Sequence, residues 1–340
     1  MNHAVAPAVS APRPSLQYLL LLGNALRDAR YVHTTVTPAT HARVNARADE
    51  WATSLNDIFG WSRPFHAALV TPALLELMQR GEILQPWKDG WRSTVRLSTL
   101  DGGYYFHSAY PTEQDDAVFF GPDTYRFVRA LQSDLAQLPD WAPRRVVDIG
   151  CGAGPAAISL ARRWPQAQVL ALDINQAALH LSTVNAALAQ TSNVVARYSD
   201  LLSAVEGDVD LIVANPPYLI DRAQRRYRHG GGELGAGLSL AIVQAALTRL
   251  NPGGWLMLYT GVAMPRGAAA PDSGTDPFRA RVAPLLNDAG WRWTYREVDP
   301  DVFGEELDEP AYRDTERIAA VWLTAHKPLP APTPITSQDN

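Results

Sequence analysis

The sequence holds a single cysteine, Cys151, among its 340 residues. One cysteine excludes an intrachain disulfide and any metal site built from several thiolates. The eight histidines are scattered along the chain without the spacing of metal ligands. We therefore predict no metal centre, and we expect a reducing, cytoplasmic location.

Positive charge and long apolar runs are equally scarce. Lysine and arginine number 30 against 35 aspartates and glutamates, and the formal net charge of -5 gives no overall attraction to nucleic acid or anionic membranes. The one strongly apolar N-terminal run, residues 18–23, is far shorter than the roughly 20 residues of a membrane-spanning helix. It also lacks the basic start and cleavage site of a signal peptide. We interpret it as one face of a core helix and expect no membrane association.

Hydrophobic periodicity predicts a small domain over residues 15–110, preceded by a flexible alanine- and proline-rich tail at 1–14. Apolar residues recur at helical spacing in three stretches, 16–26, 44–58 and 65–78. Residues 92–109 alternate instead and turn at an Asp-Gly-Gly sequence, which is typical of a β-hairpin. Helices followed by a hairpin also occur in winged-helix DNA readers. Because this segment is not strongly basic, we favour a substrate-covering or dimerising role.

From about residue 140 the pattern changes to strands that alternate with helices. We assign residues 111–327 to this second domain, followed by a proline-rich flexible tail at 328–340. The alternation predicts an α/β fold, with a mostly parallel sheet covered by helices on both faces. Seven strands are expected, at residues 144–149, 168–173, 193–198, 209–214, 255–259, 291–298 and 317–325.

A glycine-rich turn follows the first of these strands. Asp148 lies at the end of the strand, and the next helix starts at Pro155. Between them lie Gly150, Gly152 and Gly154. Glycines let the backbone approach a ligand closely, and a helix N-terminus offers free N–H groups to it. Nicotinamide and flavin enzymes use such a turn too, so the turn alone does not identify the ligand.

Two acidic residues end the next two strands at the same edge of the sheet. Asp173 follows Gly154 by about 20 residues, where a carboxylate can accept hydrogen bonds from both hydroxyls of a ribose. Asp200 is placed to accept the exocyclic amine of an adenine, and Leu201 to pack near the ring. The combination predicts a cofactor that contains a nucleoside. An aspartate after a strand is also a common turn residue, so both interpretations of Asp200 stay open.

The fourth strand ends in Asn215, Pro216, Pro217 and Tyr218. Because proline cannot donate to a sheet ladder, the strand must stop here and turn outward. The tetrapeptide therefore presents an amide side chain, backbone carbonyls and an aromatic ring at the carboxyl edge of the sheet. Open α/β sheets bind their ligands at that edge.

The order of these motifs resembles that of class I S-adenosylmethionine-dependent methyltransferases, over residues 115–327. The Asn-Pro-Pro-Tyr motif is similar to that of enzymes that methylate nitrogen: HemK-like protein-glutamine N5-methyltransferases, adenine-N6 enzymes and guanine-N2 enzymes. The resemblance implies a Rossmann-like seven-stranded fold and S-adenosylmethionine as the cofactor. It also implies a cofactor site formed by Asp148, Gly150, Gly152, Gly154, Asp173, Asp200, Leu201 and Asn215.

Two further stretches extend the resemblance to HemK-like enzymes. Residues 229–238 resemble the Gly-Gly-x-x-Gly-Leu sequence that follows the tetrapeptide in that family. Residues 119–125 occupy the place of its Pro-Arg-Pro-Glu-Thr segment, which covers the cofactor, although the arginine is absent here.

The resemblance implies an N-methyltransferase whose catalytic residues are Asn215, Pro216, Pro217 and Tyr218. The Asn215 side-chain oxygen and the Pro216 carbonyl can accept both hydrogens of a planar amide or amino nitrogen, and Tyr218 can stack on that group. These acceptors orient the nitrogen and favour the positive charge that develops on it. A protein glutamine is one expected acceptor. A small molecule or an adenine or guanine base is the alternative, and the acidic balance disfavours nucleic acid. A nicotinamide dehydrogenase would give no reason for the tetrapeptide.

Four arginines follow the tetrapeptide: Arg222, Arg225, Arg226 and Arg228. Arginine binds carboxylate or phosphate groups through two parallel hydrogen bonds, which favours an anionic substrate. A solvated loop is equally consistent, because this chain uses arginine in place of lysine almost throughout. An acidic loop at residues 301–312 is expected at the same edge, either as a lid that pairs with the arginines or as an ordinary surface loop. The sequence specifies no oligomeric state.

Overall fold

The computed structural model describes residues 15–47, 49–221, 228–267 and 276–330. The chain divides into two compact units, Met1–Pro111 and Thr112–Asn340. The tail predicted at 1–14 and most of the tail predicted at 328–340 lie outside the described residues. Within the described ranges, every helix is too short or too polar to cross a membrane.

The first unit combines short helices with two hairpins. Its elements are α1 (Leu16–Asp28), α2 (Pro38–Asn45), α3 (Leu55–Phe59), α4 (Pro72–Arg80), β1 (Leu84–Trp87), β2 (Gly90–Ser93), β3 (Val95–Leu100) and β4 (Gly103–Ser108). The apolar run at residues 18–23 belongs to α1, and Leu19, Leu22 and Leu26 of this helix are fully buried at three- and four-residue spacing. The strands β3 and β4 form the predicted antiparallel hairpin.

The helices of this unit are shorter than their apolar spacing predicts. The helix expected over 44–58 is wrong, because α2 ends at Asn45 and α3 starts after Ser54, whose hydroxyl accepts from the Asp57 N–H at 3.2 Å. The helix expected from residue 65 starts only at Pro72, because Thr71 caps it. Residues 84–93 form the hairpin of β1 and β2, which the helical spacing did not predict.

The second unit is built on one seven-stranded sheet. Its strands are β5 (Arg145–Ile149), β6 (Gln168–Asp173), β7 (Val194–Tyr198), β8 (Val209–Ala214), β9 (Leu250–Pro265), β10 (Arg292–Asp299) and β11 (Thr315–His326). Their order across the sheet is β10-β11-β9-β8-β5-β6-β7. The strands from β9 to β7 in this order are parallel, and β11 runs antiparallel to both of its neighbours. The predicted α/β fold is confirmed.

Five helices accompany the sheet: α5 (Pro122–Leu135), α6 (Pro155–Arg163), α7 (Gln176–Leu188), α8 (Gly237–Arg249) and α9 (Pro277–Asp288) among the described residues. The central strands are covered on both sides, since Val146, Val147 and the run 211–214 are almost fully buried. The strand β5 has β6 on one side and β8 on the other, so the winding of the chain reverses between β5 and β8. Ligands of open α/β folds bind outside the carboxyl ends of the strands at such a reversal.

Candidate active site

The glycine-rich turn lies at the carboxyl end of β5. The N–H groups of Gly150 and Cys151 both donate to the Leu172 carbonyl, at 2.8 and 2.9 Å, which ties the turn to the end of β6. Gly150 and Gly152 have φ angles of 70° and 54°, a region that favours glycine. A Cβ atom on either residue would meet nothing within 4 Å. The turn therefore borders open space, where a ligand can lie against the backbone.

Asp148 connects this turn to the helix that follows it. The side chain is 2% exposed, and its Oδ2 accepts from the Ala157 N–H in the first turn of α6 at 3.1 Å. Burial, with a smaller contribution from the charge of Asp173, raises the pKa of Asp148 to about 7, against the opposing effect of the hydrogen bond from Ala157. Asp148 thus holds the start of α6 against the end of β5.

Asp173 is oriented by the backbone on both of its oxygens. Its Oδ2 accepts from the Gly152 N–H at 3.0 Å, and its Oδ1 accepts from the Asn175 N–H at 2.8 Å. The Asn175 side chain in turn caps α7 by accepting from the Ala177 N–H at 2.9 Å. The structure therefore brings Asp173 into contact with the glycine turn, as a ribose-binding carboxylate requires.

Asp200 and Leu201 follow β7 at the edge of the sheet. The Asp200 side chain is exposed, and its backbone N–H donates to the Ser203 hydroxyl at 3.2 Å. Leu201 has a φ of 49° and packs, partly buried, against the hydrophobic core of the sheet. Ile174 is a candidate that the sequence argument missed: this side chain is 41% exposed directly after Asp173. The sequence feature that could have identified Ile174 is an apolar residue directly after the acidic residue that ends a strand.

The Asn-Pro-Pro-Tyr tetrapeptide leaves the sheet beside the glycine turn. Ala214, the last residue of β8, pairs with Ile149 of β5, so Asn215 and Gly150 follow adjacent strand ends. Asn215 is half-buried and Pro216 is buried. The structure thus places Asn215 at the reversal point of the sheet, next to the proposed cofactor turn.

A glycine-rich segment at residues 230–237 packs against the backbone of the tetrapeptide. The Gly230 N–H donates to the Leu219 carbonyl at 2.9 Å, and a Cβ on Gly230 would lie 2.7 Å from the Pro217 carbonyl oxygen. A Cβ on Gly235 would overlap the carbonyl of Tyr218. These glycines are therefore required for close approach of two backbone segments, which explains the resemblance of this stretch to its counterpart in HemK-like enzymes.

Tyr218 is 7% exposed, and its environment was not foreseen from the sequence. Its hydroxyl donates to Asp123, at the start of α5, and its ring lies edge-on to Phe303 with 6.0 Å between ring centroids. Asp123 lies within residues 119–125, which occupy the place of the cofactor-covering segment in the motif order described above. The sequence feature that could have pointed to Asp123 is an acidic residue near the start of a helix.

The acidic loop and the arginine segment meet at one described arginine. Arg228 forms an ion pair with Glu306, and its Nε lies 3.6 Å from Asp221 Oδ1. The Ile220 N–H also donates to the Tyr312 hydroxyl of the acidic loop at 2.8 Å. The lid-like pairing is therefore present at Arg228, whose charge is matched within the protein. The other three arginines, Arg222, Arg225 and Arg226, lie outside the described residues.

Cys151 is buried in the glycine turn, and burial raises the pKa of its thiol well above the usual range. A thiol that stays protonated is a poor nucleophile. In the ranges that the structure describes, no group of three or more His, Cys, Asp or Glu side chains could hold a metal ion.

Comparison with known proteins identifies a family for the second unit. Residues 127–266 match the family described as methyltransferase small domain. Together with the strand order and the glycine turn, this match defines a class I methyltransferase.

The relatives define the family more narrowly. The release factor glutamine methyltransferase of Deinococcus radiodurans is 37% identical over 248 residues, which cover 68% of this chain and 82% of that protein. The corresponding protein of Koribacter versatilis is 31% identical over 196 residues, or 54% of this chain and 62% of the relative. The chain belongs to the HemK-like family of S-adenosylmethionine-dependent methyltransferases.

The family match at residues 127–266 lies within the second unit. This chain spans less than two thirds of the length of the Koribacter relative. A third relative, the 4-amino-L-phenylalanine/4-methylamino-L-phenylalanine methyltransferase of Streptomyces pristinaespiralis, is 36% identical over 126 residues, or 34% of this chain and 43% of that protein.

Proposed function

We propose that this protein transfers a methyl group from S-adenosylmethionine to the side-chain amide nitrogen of a glutamine in a protein substrate. The observation that carries the proposal is the Asn215 amide beside the glycine turn, in a chain 37% identical to a release factor glutamine methyltransferase over 248 residues. A cytoplasmic location belongs to the same proposal, because the single cysteine is a free thiol.

The residues at the carboxyl edge fit the cofactor. Open space faces Gly150 and Gly152, where a Cβ would meet nothing, and Asp173 is already aimed by two backbone N–H groups. Asp173 would accept from the ribose hydroxyls and Asp200 from the adenine amine. When bound, the cofactor supplies an electrophilic methyl group.

The tetrapeptide supplies what an amide nitrogen needs as an acceptor. Such a nitrogen is a weak nucleophile because its lone pair is delocalised, and burying its two N–H groups without partners costs several kcal/mol. The Asn215 side-chain oxygen and the Pro216 carbonyl would accept these hydrogens and so fix the orientation of the nitrogen. They also stabilise the positive charge that develops on the nitrogen, so the transfer needs no strong base beforehand.

A small aromatic amine is a second candidate acceptor. The supporting observation is the 36% identity over 126 residues to an enzyme named for 4-amino-L-phenylalanine. An aromatic amine is also a planar nitrogen with two hydrogens, so the same two acceptors would suit it.

Transfer of label from radiolabelled S-adenosylmethionine separates the two candidates. The purified chain is incubated in separate reactions with a bacterial release factor and with 4-amino-L-phenylalanine. A third reaction uses a release factor variant in which the glutamines of the peptide that takes up label are changed to asparagine. We expect label in the first protein alone, located on a glutamine by mass spectrometry. Label in the amino acid alone would support the second candidate, and label in neither acceptor would contradict both.

A further inference from the structure

Asp123 joins three elements of the second unit through one carboxylate. The residue lies at the start of α5 and is 6% exposed. Its Oδ2 accepts from the Tyr218 hydroxyl, and its Oδ1 accepts from the Tyr259 hydroxyl of β9 and from Arg126 Nη1, both at 2.8 Å. Both oxygens are therefore engaged, and one of them holds the last residue of the catalytic tetrapeptide.

The anchor is itself firmly held. A buried carboxylate is strongly unfavourable unless it is paired and hydrogen-bonded. Arg126 provides the pairing charge from the same helix, and its other nitrogen lies 2.8 Å from Asp299 Oδ2 at the end of β10. Because Asp123 is tied to α5, β9 and β10, its carboxylate cannot shift without disturbing several contacts.

The two tyrosines act as donors to this carboxylate. Burial, reinforced by the charge of Asp123, raises the pKa of Tyr218 well above the ordinary tyrosine value, and the pKa of Tyr259 is raised for the same reasons. Both hydroxyls therefore keep their protons at neutral pH. The hydrogen bond from Tyr218 to Asp123 is accordingly charge-assisted, which makes it stronger than a neutral one.

Tyr218 is confined at its ring as well as at its hydroxyl. A Cβ on Gly261 of β9 would overlap the ring, and Phe303 lies against the ring edge. The two residues before it, Pro216 and Pro217, have no N–H group with which to fix their own backbone. The side chain of Tyr218 is thus one of the attachments of the segment that carries the Asn215 and Pro216 acceptors, beside the strand before it and the glycine-rich segment packed against it.

We propose that Asp123 is a positioning residue, which sets the direction of the Asn215 and Pro216 acceptors by holding the hydroxyl of Tyr218. The inference rests on the proposed N-methyl transfer. Asp123 takes no part in bond making; it acts through Tyr218.

The first test compares turnover with cofactor affinity in three variants. Asp123→Asn and Tyr218→Phe should each lower kcat by about 10- to 100-fold, because small misplacements of reacting groups have effects of that order. The affinity for S-adenosylmethionine, measured by isothermal titration, should stay within about twofold of the wild type. Tyr295→Phe is the matched control: it removes a similar bond, from a partly buried tyrosine hydroxyl to Asp276 Oδ2 at 2.6 Å, and should leave kcat unchanged. If Asp123→Asn weakens cofactor affinity as much as it lowers kcat, Asp123 binds cofactor and the proposal is wrong.

The double variant tests whether Asp123 acts through Tyr218. Asp123→Asn in a Tyr218→Phe background should lower kcat by no more than about twofold further, because the bond between the two residues is already lost. Multiplied losses in the double variant would overturn the proposal.

A third measurement needs no methyl transfer at all. The protein is labelled with 3-fluorotyrosine, and the Tyr218 signal is identified from its absence in Tyr218→Phe. We expect this fluorine signal to shift and broaden in Asp123→Asn and to be unchanged in Tyr295→Phe. An unchanged signal in Asp123→Asn would refute the anchoring. Should the wild type methylate no acceptor, the proposed function fails, and the fluorine signal still decides whether Asp123 holds Tyr218.

Discussion

The two halves of the proposed catalytic edge are held in different ways. On the half formed by β5 and β6, the contacts join groups close in sequence: Asp173 binds the Gly152 N–H, 21 residues away, and the Asn175 N–H, 2 residues away. On the half formed by β8 and β9, Asp123 holds Tyr218 and Tyr259 across 95 and 136 residues. The half assigned to the cofactor is therefore locally encoded, and the half assigned to the acceptor is assembled by the fold.

Because the two halves are held by different contacts, mutations in one half should leave the function of the other half largely intact. Backbone N–H groups orient Asp173, so its position depends mainly on one turn between neighbouring strands. Tyr218 depends on α5, β9 and the loop after β10, so substitutions far from the acceptor can disturb it. Changes in the first half should alter cofactor affinity, and changes in the second should alter turnover.

Asn215→Ala should have the largest effect. Loss of one acceptor that acts in the transition state should lower kcat by about 100- to 1000-fold. Cofactor affinity should fall far less than kcat, because Asn215 is one member of the expected cofactor site and the glycine turn and Asp173 are untouched. Initial rates and isothermal titration measure the two quantities. Equal losses in both would show that the halves are not separable.

Asp173→Ala should produce the opposite pattern. Removing a carboxylate that would accept two hydroxyls should weaken S-adenosylmethionine binding by about 100-fold, since hydrogen bonds to charged groups are among the stronger ones. At saturating cofactor, kcat should return to near the wild-type value. Unchanged affinity in the titration would contradict the ribose-binding role.

Asp148 should make stability depend on pH. Its pKa is raised from 3.8 unfolded to about 7 folded, so the folded chain binds more protons between these values and loses stability as the pH rises through them. Asp148→Asn lacks this dependence, and its stability relative to the wild type should improve by about 3 kcal/mol from pH 5 to pH 8. Urea unfolding at both pH values measures the change. If the difference in unfolding free energy between the two proteins is the same at both pH values, the pKa of Asp148 is not raised.

Gly261→Ala should give the smallest of these effects and should appear on the acceptor half alone. The new methyl group would overlap the Tyr218 ring, so kcat should fall by about tenfold with little change in cofactor affinity. Gly304→Ala is the control, because a Cβ there meets nothing within 4 Å. A loss of turnover in both variants would indicate a general rather than a local disturbance.

The second unit was more predictable than the first. Each expected strand of the sheet is present. The central parallel strands β5, β6 and β8 are buried and form near-continuous apolar runs bounded by turns, which the sequence pattern identifies directly. The first unit differed because side-chain caps at Ser54 and Thr71 decide where its short helices start. The spacing of apolar residues carries no information about such caps, so the prediction based on it made two helices too long.

Within the site, contiguous motifs were visible and distant partners were not. The glycine turn and the tetrapeptide each occupy a few successive residues, so their chemistry can be recognised from residue type and spacing. No spacing rule connects Asp123 to Tyr218, or Glu306 to Arg228. The role of Tyr218 as a stacking surface for the acceptor stays a prediction, with its hydroxyl now assigned to Asp123.

The sequence alone predicted seven strands, a glycine-rich turn after the first of them and a strand end that carries Asn215 and Pro216, because each depends on local geometry that a few residues impose. Tertiary structure alone decided how the tetrapeptide is held. Hydrogen bonds between residues 95 and 136 positions apart form only after the sheet has brought α5, β8 and β9 together. The physical reason is that a buried carboxylate selects its partners by proximity in space, and the sequence carries no direct record of that proximity.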